Sequence, residues 1–177
     1  MQGIRWRVGF TLAALLVLVF LGQNTSCSSS HRLIEEVLGQ TPEAQIASYL
    51  AAIAEGDRYT ALALWPANGT PNAALETRRA SVTDELLGYG PRLEHRILDS
   101  VWWRTCCEPA VIDDPGEAGG VRIRVAVVDG NQQEAVYVFD LLVPGGYWGA
   151  AAGYPVRHWA IVDIYPEGVE PLVWTWR

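Results

Sequence analysis

The chain has no lysine, one methionine, three histidines and three cysteines in 177 residues. Without lysine there is no side-chain amine to act as a nucleophile or to form a Schiff base. Positive charge comes from 13 arginines, set against 20 acidic side chains, and the formal net charge is −7. That balance argues against broad binding to nucleic acid, which needs phosphate neutralisation. It also disfavours a grip on anionic lipid by charge alone. No Walker loop, dinucleotide fingerprint, GxSxG or HExxH is present, so the motifs imply no cofactor. Cys106, Cys107, His95 and His158 lack the spacing of a zinc set, and no metal is expected.

The N-terminus has the form of an export signal. Arg5 and Arg7 precede Val8 to Leu21, fourteen residues that are almost wholly apolar, and a polar stretch follows. The run is short of the roughly twenty apolar residues of a typical spanning helix. Asn24-Thr25-Ser26-Cys27 resembles the lipoprotein cleavage box, with Ser26 and Thr25 fitting it and Asn24 standing where an apolar residue is usual. A cleaved signal, a short anchor and a lipidated Cys27 are three readings with one outcome. All place the domain outside the cytoplasm, on the outer face of a bacterial membrane or in the cell envelope. Residues 1–27 are thus read as signal or anchor, 28–40 as tether and short helix, and 41–177 as one folded domain. Without the two leader arginines the formal charge falls from −7 to −9.

Thr41 to Pro66 is the strongest helical stretch. Thr41 suits the cap and Pro42 the first helical position, while Ile46, Leu50, Ile53 and Ala54 recur at helical spacing. Gly56-Asp57 breaks the run, and Asp57 can cap a second helix reaching Trp65. A third helix is expected over Ala73 to Leu87, with Glu76, Arg79 and Glu85 as surface charges. From Arg92 the period falls from 3.6 to 2. Strands are expected at 92–105, 121–128, 134–143, 156–165 and 172–176, with a polar loop at 108–120 and a hairpin turn at Asp129-Gly130-Asn131. In the first strand strict alternation puts Ile97, Asp99, Val101 and Trp103 on one face. Helices first and an antiparallel meander after them make an α+β fold in two layers.

The stretch YLAAIAEGDRYTALALW carries a family resemblance. Tyr49, Leu50, Ile53, Gly56, Asp57, Ala61, Leu64 and Trp65 stand as in the broken first helix of the NTF2-like (cystatin-like) superfamily. The chain from Thr41 resembles its bacterial secreted and lipoprotein members. The resemblance implies N-terminal helices packed on a curved antiparallel sheet that closes as a cone, and a homodimer formed through the sheets. Isomerases, dehydratases and non-catalytic binding modules share that fold, so it assigns no reaction.

Three strand residues, Asp99, Tyr137 and Asp140, are the weak catalytic candidates, since an inward carboxylate would be paired or hold a shifted pKa. Arg104, Arg122, Arg124 and Arg157 are the available partners for Asp99, Asp140 and Asp163, and structural pairing is the plainer reading. Trp65, Trp103, Tyr147, Trp148 and Tyr154 are the binding candidates, the last three in the uncharged loop PGGYWGAAAGYP. The adjacent Cys106 and Cys107 allow a strained local disulfide, two free thiols or an intermolecular bridge. The function expected is an exported, non-enzymatic binding or interaction module for a small apolar ligand or an envelope protein. An isomerase or dehydratase with an acid inside the cone is one alternative. A structural domain of an envelope complex is another.

Overall fold

A computed structural model describes residues 36–37, 39–65, 73–104, 110–113, 118–143 and 159–172. Among the described residues the helices α1 (Pro42–Ala54), α2 (Arg58–Leu64) and α3 (Ala73–Leu87) come first. Five strands follow: β1 (Glu94–Arg104), β2 (Ala110–Ile112), β3 (Gly120–Val128), β4 (Glu134–Leu142) and β5 (Ala160–Pro166). The helix signals act as their chemistry dictates. Thr41 Oγ1 accepts from the Ala44 N–H at 3.2 Å, and Glu43 sits in the first turn. Gly56, with φ of +74°, turns the chain. Asp57 then caps α2, accepting from the Thr60 N–H at 3.0 Å and from its hydroxyl at 2.6 Å. Those bonds, the hydroxyl's first, hold the Asp57 carboxyl below its usual range.

All strand pairs are antiparallel, in the order β2-β1-β3-β4-β5. The β3–β4 hairpin turns at Asp129, whose Oδ1 accepts from the N–H groups of Asn131 and Gln133, both at 2.8 Å. Val121, Ile123, Val125 and Val127 of β3 join Tyr137, Phe139 and Leu141 of β4 in the core with α1 residues Ile46, Tyr49, Leu50 and Ile53. Tyr49 sits at its centre, edge-on to Trp65 at 6.4 Å and to Phe139 at 6.0 Å.

Two expectations are corrected by the backbone. The pairing of β1 with β3 shifts register between Ile97 and Asp99, so Leu98 is a bulge. Strict alternation fails there. Ile97 shares the helix-facing side with His95, Ser100 and Trp102, while Asp99, Val101 and Trp103 join Glu94 and Arg96 on the other. The stretch expected as a loop at 108–120 contains β2, three residues paired to Trp102–Arg104. Of the last expected strand, Leu172 alone is described, and it lies in a bend.

The larger correction concerns the family. The sheet is open, with β2 at one edge and β5 at the other, and it does not curl into the cone of an NTF2-like fold. The helices and the sheet form the α+β layers that the periodicity implied, but the space between them is filled by Tyr49, Trp65, Leu86 and Phe139, all fully buried. A dimer through the sheet faces, which the resemblance implied, loses its basis with the cone. Among the described residues no helix is long and apolar enough to cross a membrane, and nothing there supports a lipoprotein. The run Val8–Leu21 and Cys27 lie outside the described residues.

Candidate functional site

The face of the sheet turned away from the apolar core is built around paired charges. Arg122 on β3 stands opposite Asp140 on β4, and Asp140 stands opposite Asp163 on β5. Both acids are fully buried. Arg122 grips Asp140 with two bonds, Nε to Oδ1 at 2.7 Å and Nη2 to Oδ2 at 2.9 Å, and the Tyr165 hydroxyl donates to Oδ2 at 3.2 Å. Asp163 accepts from Arg78 Nη1 at 3.0 Å and from the Leu172 N–H at 2.7 Å. Arg78 comes from α3, and its Nη2 donates to the Glu170 carbonyl at 2.9 Å. The Tyr165 ring meets both guanidinium groups, with centroid distances of 5.6 Å to Arg78 and 5.9 Å to Arg122. The bond to Asp140 keeps Arg122 more basic than usual. Burial, and then the charge of Asp140, pushes the Tyr165 phenol up.

Arg78 links this network to an open groove on the described surface. A groove of about 630 Å³ runs along α3 and is bounded on its far side by Pro166 and Leu172. Thr77, Arg78, Ser81, Val82 and Glu85 line the helix wall, since residues three and four apart share one side of a helix. At the Glu85 end lies a chain of hydroxyls. The Tyr137 hydroxyl donates to Glu85 Oε1 at 2.6 Å and lies 3.1 Å from the Tyr89 hydroxyl. With its own proton committed to Glu85, Tyr137 receives one from Tyr89. Burial, then the bonds to Glu85 and Tyr89, raises the Tyr137 phenol far above its ordinary value. Tyr137 is therefore a hydrogen-bond donor that orients Glu85, and a poor base at neutral pH.

The sequence-level candidates that are described fall in four places. Asp140 is in the buried network and Tyr137 lies under the end of the groove. Asp99 is on the exposed stretch of β1, paired with Arg124 Nη1 at 2.6 Å, and Arg124 also reaches Glu167. Trp65 and Trp103 are fully buried. Trp103 lies so close over Gly120 that a Cβ there would stand 2.3 Å from its indole ring. Tyr147, Trp148, Tyr154, Cys27, Cys106 and Cys107 lie outside the described residues. Among the described residues no three His, Cys, Asp or Glu side chains cluster as metal ligands. The pairs Arg122–Asp140 and Arg124–Asp99 match the structural pairing expected of those residues. Arg78, Tyr89 and Tyr165 were not singled out from sequence, and Glu85 was read only as a surface charge of the helix. Arg78 and Glu85 are seven apart and share a helix face, which was visible, but the strand end they confront was not.

No family model, no curated protein and no solved structure matches this chain.

Proposed function

We propose that the chain is an exported binding domain and not an enzyme, and that its ligand sits in the groove between α3 and the end of β5. The observation that carries this reading is the contrast between the committed acids and the open groove. Asp140 has both oxygens held by Arg122, Asp163 has its Oδ2 held by Arg78 and a backbone N–H, and both acids are fully buried, so neither presents an exposed oxygen to a substrate proton. The groove offers Ala73, Ala74, Val82, Pro166 and Leu172 beside the hydroxyls of Thr77 and Ser81. Such a mixture suits a small, mainly apolar molecule or a chain segment with a few polar groups. The leader with its basic start supports a location outside the cytoplasm.

Native mass spectrometry of the full chain, made in an oxidising host that exports it, tests the reading. An adduct that is present natively and lost on denaturation is the expected result, and Ser81→Trp, which fills the groove, should abolish it. An adduct that survives Ser81→Trp would place the ligand elsewhere. No adduct in either protein would count against a small-molecule ligand and favour a protein partner. Catalysis is the competing reading, and the oriented Glu85 is the one observation that favours it. Adduct capture unchanged in Glu85→Gln supports binding alone, whereas a captured molecule that is chemically altered by the native chain and left intact by Glu85→Gln would support an enzyme.

A further inference from the structure

The two edges of the sheet are treated differently. On its outer side β1 is paired to β2 only through Trp102, Trp103 and Arg104. The eight residues before them, Glu94 to Val101, have no strand on that side among the described residues. That is about 27 Å of open edge at the usual antiparallel rise. Glu94–Ile97, Asp99 and Ser100 are exposed, although His95, Ile97 and Ser100 face the helix side. An open edge of this length is a template for another strand, and the bulge and the charges on it restrict which strand can join.

The bulge decides the register. In an antiparallel pair, residues directly opposite each other share a face. A regular strand that pairs with its own copy must therefore match odd with odd and even with even positions. The extra residue at Leu98 inverts that parity across the bulge. Glu94, Arg96, Asp99 and Val101 lie on one face, and His95, Ile97 and Ser100 on the other, as their partners on β3 establish. A two-fold axis between Ile97 and Leu98 then sets Glu94 opposite Val101, His95 opposite Ser100 and Arg96 opposite Asp99, each pair on a common face. It uses the whole open stretch and stops where β2 begins. Moving the register by two in one direction sets Glu94 against Asp99, two acids. Moving it by two in the other runs the copy against β2.

We infer that a second copy of this chain joins the β1 edge in that register, making one continuous ten-stranded sheet with two Arg96–Asp99 pairs across the two-fold axis. Arg96 is only loosely engaged at home, 3.6 Å from Glu134, and its side chain is 68% exposed. Asp99 gives Oδ2 to Arg124 and keeps Oδ1 for a second donor. The inference is independent of the groove and of whatever binds there.

A charge swap tests it. Arg96→Glu alone sets Glu against Asp99 at both crossings, and Asp99→Arg alone sets Arg against Arg96. Each variant should dimerise at least about tenfold more weakly than the native chain in sedimentation velocity. An equal mixture of the two restores opposite charges at both crossings and should recover the dimer. A native chain that stays monomeric, variants that dimerise as the native chain does, or a mixture that stays apart would overturn the inference. Hydrogen exchange on the unaltered chain needs no variant. Amides of Glu94–Val101 should gain protection as concentration rises, and a dimer that leaves them unprotected is built on another surface.

Discussion

β1 and β5 flank the same central hairpin and meet opposite fates. β5 is buried along almost its whole length, with Asp163 fully inside, because α1 and α3 pack on it and Arg78 and the Leu172 backbone bond to Asp163. The first half of β1 is exposed on both faces because, among the described residues, no helix covers it and β2 is too short to reach it. The same residue types therefore have different energetic weight. An aspartate paired with an arginine is a buried, doubly bonded pair at Asp140 and a water-screened one at Asp99, and only the first has been taken out of solvent.

The sharpest way to break that comparison is to remove the two aspartates in turn. Asp140→Ala removes the carboxylate that Arg122 grips with two bonds in a mostly buried site, and should cost about 3 kcal/mol in chemical denaturation. Asp99→Ala should leave the denaturation midpoint of the monomer almost unmoved. Equal losses would dissolve the contrast between the two sides.

A smaller effect is expected at Gly120, where the covered part of β1 meets β3. Gly120→Ala drives a methyl group into the Trp103 indole and should cost about 2 kcal/mol through overpacking. A neutral result would mean that Trp103 can move aside, and that this end of the sheet is as loose as the open half.

The apolar face can be probed through Tyr49. Its hydroxyl lies 3.0 Å from Thr83 Oγ1, both residues are fully buried, and burial pushes the phenol up to about 12. Tyr49→Phe should lose about 1 kcal/mol, the net value of one buried hydrogen bond. The pH dependence has a fixed sign. A phenol with its folded value raised from 10 stabilises the fold fully below about pH 10, and that stability falls as pH rises through about 12. Tyr137 and Tyr165, also raised, act in the same direction. Phenolate absorbance of the buried tyrosines should therefore appear together with unfolding. A titration of all seven tyrosines near pH 10 with the fold intact would contradict the burial of these three.

Much of the secondary structure was legible because it rests on local chemistry. Thr41, Gly56 and Asp57 fix the helix ends through their own side chains and backbone freedom. The alternation of Val121 to Val127 against Arg122 and Arg124 reports a strand with one apolar side. Leu98 escaped because a bulge is defined by the partner strand, and nothing in ILDSV marks which residue β3 will skip. β2 escaped because three residues carry no period. The broken helix suggested a cone, but helix breaks are local and closure of a sheet depends on which edges meet.

By itself the sequence determined the order of helices before strands, the caps and the apolar sides of β3 and β4. Each of these follows from neighbours within a few positions. Tertiary structure alone decided that the sheet stays open, that Arg78 crosses from α3 to Asp163, that Tyr137 orients Glu85 and that the first half of β1 has β3 on one side and, among the described residues, no strand on the other. Those contacts join residues such as Arg78 and Asp163, 85 positions apart. Side-chain periodicity sets which way a residue points, and only the packed chain sets what it meets.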